Sequence, residues 1–323
     1  MPSNQLSFQG LTVFLHMSKS GSMQQTAADL GISISTVSHH LRNIEESVGA
    51  SLLDHKRRPM ALTPAGAMFA RHVEEGLRCI RLGTNELASG NLPEIRELKL
   101  GNVDDFDAEV APELAQALAK AMPKCAFEHY TRPSHEIIRL LLERKLDAGV
   151  ATRPANDIGG LVEYPVLRDP FVIALPVSAT IPPAVFLEGK SGLPFLRYSR
   201  NLLIGNLIEA HLRRIKVSLP NRFELESNQS MMGMVADGSG WAITTPACYF
   251  RAKRFHGRIA LVPFPGKGFT RTLCLFTTDD YPEAMAEIIS GSLRRLISQY
   301  FVDPVTRSHP WLSNDFRVLT NGD

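Results

Sequence analysis

Seven residues that can hold phosphate crowd one short stretch of this sequence: His39, His40, Arg42, His55, Lys56, Arg57 and Arg58. Few acids stand among them, so they form a candidate phosphate-facing surface. Short hydroxyls precede and interleave them, at Ser33, Ser35, Thr36 and Ser38. Hydroxyls bond phosphate oxygens or base edges, and the His39 imidazole and Arg42 guanidinium can reach guanine acceptors or the backbone. The formal net charge is only +2, so the placement of charge carries this reading and its total does not. Covalent chemistry has no comparable signal. The sequence contains no GxSxG elbow, HExxH pair, Walker loop or dinucleotide GxGxxG, so neither catalysis nor a cofactor is expected. Cys79, Cys125, Cys248 and Cys274 are far apart, without CxxC or Cys/His metal spacing, and read as plain small residues.

The elements that must position these groups follow from periodicity. Leu6, Leu11, Phe14, Leu15 and Met17 predict an amphipathic helix over about 6–18, broken by Gly21. Ser22 can cap a second helix carrying Ala27, Ala28 and Leu30, which Gly31 ends. Ser33 has the chemistry of an N-cap for a third, in which Ile34, Val37, Leu41, Ile44 and Val48 repeat at alternating intervals of three and four. Two short helices joined through a glycine turn are the pattern of a helix-turn-helix. A polar outer face on the second is also what a merely solvated helix shows. The next segment, with two short extended pieces around the basic turn at Lys56, Arg57 and Arg58, reads as a wing. From Pro64 a further helix places Phe69, Val73, Leu77, Ile80, Thr84 and Leu87 in a narrow, nearly heptad stripe. Such a stripe suits one partner helix, from a second copy or from the same chain.

At 323 residues the chain is too long for one ordinary core, and 44% hydrophobic with 21% charged residues describes folded domains rather than disorder. After residue 93 the pattern alternates strand and helix. An alternating run near Leu98, a helix over about 109–122, a strand near Phe127, a helix over 134–145 and a strand near Val150 make β-α-β-α-β, hence a parallel sheet. Two strands follow over about 162–176, and Pro182 and Pro183 mark a connection. A second such series runs to about 266, and a last helix over about 282–300 returns to the first lobe.

The N-terminal residues Phe14, Ser20-Gly21-Ser22, Ala27-Ala28, Leu30, Ser33, Val37-Ser38, Leu41, Ile44-Glu45, Gly49, Leu52, Leu62-Thr63 and Gly66 resemble, in order and without gaps, the DNA-binding signature of the LysR family of bacterial transcription regulators. Two positions depart from it, Ile34 where the family often has Gln and His39 where it often has Arg, which puts base preference in doubt. The resemblance implies a multidomain chain: a winged helix-turn-helix over 1–63, a linker and dimerisation helix over 64–92, and a two-lobed α/β domain like a type II periplasmic binding protein over 93–302. Lobe I would cover about 93–177 and 267–302, and lobe II about 178–266. A tail, 303–323, runs past the usual family end.

The family also implies a small-molecule effector between the lobes. Position by position, it points to Asp104, Asp105, Ser134, Thr152 and Arg153 from lobe I, and to Tyr198, Ser199, Asn201, Asn228 and Ser230 from lobe II. Ser134, Ser199, Asn228 and Ser230 also look like helix caps. The loop carrying Asp104 and Asp105 is acidic here, where the family often has small hydroxyls. That favours a cationic or zwitterionic effector such as an amino acid or quaternary amine, with Arg153 free for a carboxylate; alternatively the acids simply begin a helix. The implied partners are double-stranded DNA bearing an interrupted inverted repeat, further copies of the chain as homodimer or homotetramer, and RNA polymerase. Without a signal segment or a long apolar run, a cytoplasmic location and no membrane contact are expected. Two other classes stay open: an effector-independent DNA binder and a solute-binding protein for transport. The latter would carry an export signal and lack the basic wing.

Overall fold

The computed structural model describes residues 6–88, 95–320 and 322, without the side chains of Leu82, Asn85, Glu86 and Ala88. It divides into two compact units, 1–87 and 88–323. The boundary expected at 92–93 lies outside the described residues.

The first unit is three helices, α1 (Phe8–Ser20), α2 (Met23–Leu30) and α3 (Ile34–Val48), a two-stranded wing of β1 (Leu53–Asp54) and β2 (Ala61–Leu62), and the long helix α4 (Pro64–Ala88). The caps sit where residue chemistry demands them. Ser7, Ser22 and Ser33 each accept a hydrogen bond from the backbone N–H three residues on, and Gly21, Gly31 and Gly49 end α1, α2 and α3 in the left-handed conformation. Gly21 is further constrained, because a Cβ there would come within 2.8 Å of the Met60 carbonyl oxygen beside the wing. Gly66 lets α4 start against Leu52, whose carbonyl would lie 1.9 Å from any added Cβ. Val13, Phe14, Met17, Ala27, Val37, Leu41, Ile44, Leu52, Leu53 and Val73 form one buried core.

Two expected apolar stripes extend beyond the core of the first unit. Ile34 and Val48, at the ends of α3, are 50% and 37% exposed, because the core ends at Val37 and Ile44. On α4, Val73 is buried and Phe69 and Leu77 pack on the core, with the Phe69 ring 5.5 Å from Phe14. Ile80 and Leu87 are exposed, as is Thr84. The helix outruns the three-helix core by several turns, so one stripe serves two environments.

The second unit has two sheets. Lobe I orders its strands β13-β6-β12-β5-β3-β4 and lobe II β11-β7-β10-β8-β9. In chain order they are β3 (Glu97–Asn102), β4 (Ala126–Thr131), β5 (Ala148–Thr152), β6 (Leu161–Pro170), β7 (Val172–Pro176), β8 (Phe195–Tyr198), β9 (Phe223–Leu225), β10 (Trp241–Thr244), β11 (Ile259–Pro263), β12 (Thr270–Thr278) and β13 (Arg317–Val318). Helices α5 (Val110–Ala121), α6 (Ser134–Leu142) and α11 (Glu283–Ile297) belong to lobe I, and α7 (Pro183–Leu187), α8 (Leu203–Arg214), α9 (Asn228–Ala236) and α10 (Pro246–Arg251) to lobe II; α12 (Asp303–Ser308) follows α11. β3 runs parallel to β4 and β5, as the alternating pattern predicts. β5, β7 and β10 are buried along their whole length, which suits strands covered on both faces.

The lobe boundary expected at 177–178 falls instead at Phe171. β6 pairs in lobe I and β7 in lobe II, and Phe171 between them stacks on Phe269 at 4.1 Å and donates its N–H to the Phe269 carbonyl at 2.9 Å. Pro182 and Pro183 open α7 inside lobe II rather than marking the crossover.

Candidate functional sites

In the first unit α3 turns its apolar residues to the core and leaves Ser35, His39 and Arg42 exposed, with Thr36 and Ser38 half-buried. Ser33 is engaged as the cap: its Oγ accepts from the Thr36 N–H at 3.1 Å and lies 2.7 Å from Ser35 Oγ and 2.8 Å from Thr36 Oγ1. The hydroxyls thus form one cluster at the start of the helix, where exposed backbone N–H groups and the helix dipole also favour a phosphate. His39 Nε2 lies 3.1 Å from the Asn43 amide nitrogen.

The wing carries Lys56, Arg57 and Arg58, all exposed. Arg57 reaches Asp54 at 3.4 Å, and Arg58 folds back to donate to the His55 and Arg57 carbonyls at 2.9 and 2.8 Å. Glu45, part of the LysR-like signature, holds wing and helix together. Its Oε1 accepts the Leu52 and Leu53 N–H groups at 2.7 and 3.1 Å, and its Oε2 lies 3.1 Å from His55 Nε2. Burial pushes this carboxyl up, but the two amides and His55 outweigh it and hold it below the usual carboxylate range. A carboxylate three turns along a polar helix face reads as solvated, so only the fold reveals this brace.

In the second unit the strand ends converge where the lobes meet, which is where open α/β sheets hold ligands. Asp104 and Asp105 follow β3 as expected, in a single 3-10 turn, Asp104–Phe106. Their environments differ sharply. Asp105 is 4% exposed and sealed: Oδ2 accepts from Arg271 Nη2 at 2.9 Å and Oδ1 from the Cys248 thiol at 3.1 Å. It therefore presents no open carboxylate to a ligand, contrary to the expectation for this position. Asp104 is half-exposed, 3.1 Å from Arg251 Nη1. Asp107 takes the same guanidinium with both oxygens, at 3.0 and 2.9 Å. Burial first, and then the negative charge of Asp105, raise the Asp104 carboxyl to about 6 against the pull of Arg251.

Arg271, on β12, is the centre of the cluster. It also donates to Asp169 Oδ2 of β6 at 2.9 Å and to Thr245 Oγ1 at 3.1 Å. One guanidinium thereby joins lobe I, both hinge strands and lobe II. Burial opposes its charge, but Asp105 and Asp169 keep Arg271 protonated. Burial raises Asp169 despite Arg271, and it raises the Cys248 thiol strongly. Arg251, Arg271, Asp169, Thr245 and Cys248 had no signal in sequence. They lie 65 to 167 positions from Asp104.

The other expected effector positions divide. Tyr198 and Asn228 are buried together: Tyr198 donates to Asn228 Oδ1 at 2.7 Å and lies 3.0 Å from Thr244 Oγ1, and Asn228 donates to the Cys248 carbonyl at 2.6 Å. Ser134 is buried and accepts the Thr152 N–H at 3.0 Å, stitching α6 to the end of β5. The cap of α9 is Ser227, which accepts the Ser230 N–H, rather than Asn228 or Ser230. Ser199 accepts the Asn201 N–H at 3.3 Å, and Asn201 is exposed. Arg153 is not free for a carboxylate: it pairs with Glu163 at 2.9 Å and lines a pocket of about 270 Å³ with Asn156, Asp157 and Phe276. Among the described residues no group of three His, Cys, Asp or Glu can hold a metal, and no helix is long and apolar enough to cross a membrane.

Comparison with known proteins places both units. Residues 8–67 match the bacterial regulatory helix-turn-helix protein, lysR family, and residues 93–290 match the LysR substrate binding domain. A probable hydrogen peroxide-inducible genes activator of Mycobacterium xenopi is 28% identical over 192 residues, 59% of this chain and 98% of that protein. One of the same description from Mycobacterium avium is 26% identical over 185 residues, only 57% of either chain. The transcriptional regulator BbuR of Bordetella bronchiseptica is 24% identical over 278 residues, covering 85% of this chain and 84% of BbuR. Among solved structures, a Corynebacterium glutamicum OxyR C206 mutant superposes with a TM-score of 0.67 at 16% identity, covering 95% and 96% of the two chains. Full-length CbnR complexed with its target DNA gives 0.59 at 16% identity, covering 90% and 99%. At such identity the structures speak for the fold alone. The two family matches together span most of the chain, which therefore belongs to the LysR family of DNA-binding transcription regulators with an effector-binding domain.

Proposed function

We propose that this chain is a sequence-specific regulator whose DNA-binding head is controlled by a small molecule carrying an ammonium or other cationic group, bound at Asp104 between the lobes. The observation that carries the effector class is charge arithmetic at the lobe junction. Asp104, Asp105, Asp107 and Asp169 share the guanidiniums of Arg251 and Arg271, so carboxylates outnumber cations. Asp104 is the half-exposed member, and burial and Asp105 penalise its ionisation, so it is the accessible carboxylate that gains from a positive neighbour. Arg153 holds Glu163, so it does not stand ready for a carboxylate on the same ligand.

On DNA, Ser35, Thr36, Ser38, His39 and Arg42 of α3 would enter the major groove while Lys56, Arg57 and Arg58 of the wing hold phosphates. Ile80, Thr84 and Leu87, exposed on α4, would pair two copies, and paired heads read an inverted repeat. An effector acts only through different affinities for two arrangements of the lobes. Contact with RNA polymerase and a cytoplasmic site of action complete this reading.

The names of the mycobacterial relatives raise a second reading, a response to peroxide. Thiol oxidation needs a thiolate. Cys248 and Cys274 are buried and their thiols are pushed up by that burial, which argues against thiol chemistry at these two positions, whereas Cys79 is exposed and Cys125 half-buried.

Titration of the purified protein with a panel of amines, amino acids and organic acids, read by thermal shift, tests the effector class. Stabilisation by amines, lost in Asp104→Ser, is expected. Stabilisation by dianionic acids alone, undiminished in Asp104→Ser, sinks it, and no response to any ligand favours an effector-independent regulator. A gel shift with peroxide-treated protein checks the second reading.

A further inference from the structure

The match to the LysR substrate binding domain ends at residue 290, yet the chain continues in ordered structure. After α11 a wide helical turn, Ser298–Val302, leads into α12, a short 3-10 turn at Pro310–Leu312 and then β13. Phe301, Val305, Leu312, Phe316 and Leu319 anchor this segment in the protein, each buried.

Its two ends grip different bodies. At the far end β13 adds to the outer edge of β6, with Arg317 opposite Arg168, Val318 opposite Leu167, and the Leu319 N–H donating to the Val166 carbonyl at 3.1 Å. β6 is the strand that crosses through Phe171 into lobe II. Nearer its start the segment touches lobe II directly. Phe301 lies between Phe106 of lobe I, edge-on at 5.5 Å, and Phe250 of α10, at 5.1 Å. The His309 and Tyr249 rings, the latter on α10, meet edge-to-face at 5.8 Å, and the same phenol is stacked on His256 at 4.2 Å. α10 is also the helix that delivers Arg251 to Asp104 and Asp107 and the Cys248 thiol to Asp105.

We propose that the segment from Tyr300 to Leu319 is an intrachain strap that presses α10 of lobe II onto lobe I and so sets the angle between the lobes. The physical argument is connectivity. Lobe II can swing only about the crossings at Phe171 and Phe269. Any swing that lifts α10 from the Asp104–Phe106 turn must also separate Phe301 and His309 from α10, or peel β13 from β6. Each route gives up buried aromatic contact or ladder hydrogen bonds, so the strap raises the cost of opening. This reading does not depend on which small molecule the domain binds, or on its binding one.

Ser313, Asn314 and Asp315 form an exposed turn between the two anchor regions. A protease site placed between Ser313 and Asn314 in the full-length protein, cut after purification, would sever the strap. Hydrogen exchange by mass spectrometry is the readout, in the uncut, cut and His309→Ala proteins. Severalfold faster exchange in the α10 peptide, 246–251, is expected in both altered proteins, because its support is removed from a distance. Faster exchange confined to 317–319 and β6, with α10 unchanged, overturns the proposal and leaves the segment as a local edge cover. If cutting loosens β3 and β5 as well, His309→Ala decides alone: faster exchange in α10 supports the strap, and unchanged exchange rejects it.

Discussion

The Arg271 guanidinium lies 2.9 Å from Asp105 Oδ2, across 166 positions of sequence, and both side chains are 4% exposed. Two charges so far from water persist only because each satisfies the other, with Asp169, Thr245 and Cys248 completing the shell. Removing one partner strands the rest. Arg271→Ala is expected to destabilise the effector-binding unit by about 3–5 kcal/mol, the usual cost of leaving a buried charge unpaired, because Asp105 and Asp169 then lose their common cation. Thermal or urea unfolding of the purified variant measures this, and a loss below about 1 kcal/mol would contradict the burial described here.

Asp104 makes the same unit sensitive to pH. Its folded carboxyl titrates at about 6, above the ordinary 3.8, so the folded state binds the proton more tightly. The contribution of this group is therefore fully present below about 4 and is lost as pH rises through 6. Unfolding midpoints across that window should fall with pH less steeply in Asp104→Asn. Binding of a cationic effector should run the other way, strengthening as Asp104 ionises.

Glu45 braces the wing through two backbone amides and His55. Glu45→Ala leaves the Leu52 and Leu53 N–H groups without this acceptor, which costs about 1–3 kcal/mol. The head should lose stability, and DNA affinity should fall even though Glu45 itself is acidic. Stronger DNA binding in the variant would mean that its charge matters more than its geometry.

The wing and the helix should separate in a binding assay. Arg57→Ala and Arg58→Ala are expected to weaken all DNA sequences alike and to lower the slope of log affinity against log salt by about one each. Substitutions at Ser35 or His39 should change which sequence is preferred. Fluorescence anisotropy at several salt concentrations distinguishes these, and equal losses on every sequence for all variants would count against the assignment.

Along α4 the apolar stripe leaves the core of the head after Leu77. Val73→Asp should unfold the head, because Val73 is 6% exposed in its core. Ile80→Asp and Leu87→Asp should leave the head folded and shift the chain to monomer, as ultracentrifugation with circular dichroism would show. An intact oligomer in the double variant would place the pairing surface elsewhere.

The local features of this chain were written in its sequence. Gly21, Ser22, Gly31 and Ser33 placed the turns between α1, α2 and α3, residue spacing gave those helices and the parallel β4-β3-β5 core, and the density of His, Lys and Arg pointed to the DNA binding that the family match shows. These depend on neighbours three or four residues apart, which periodicity can see. Tertiary structure decided what depends on distant partners. It ended the α3 stripe at Val37 and Ile44, divided the α4 stripe at Leu77, moved the lobe crossover to Phe171, and bound Arg153 to Glu163. Above all it separated two adjacent acids that look alike in sequence. Asp105 meets an arginine from β12 and disappears from solvent, while Asp104, one residue earlier, shares Arg251 of α10 with Asp107 and stays half-open. Ionic partners are chosen by where strands end in space, and residues so far apart along the chain leave no spacing from which to predict that choice.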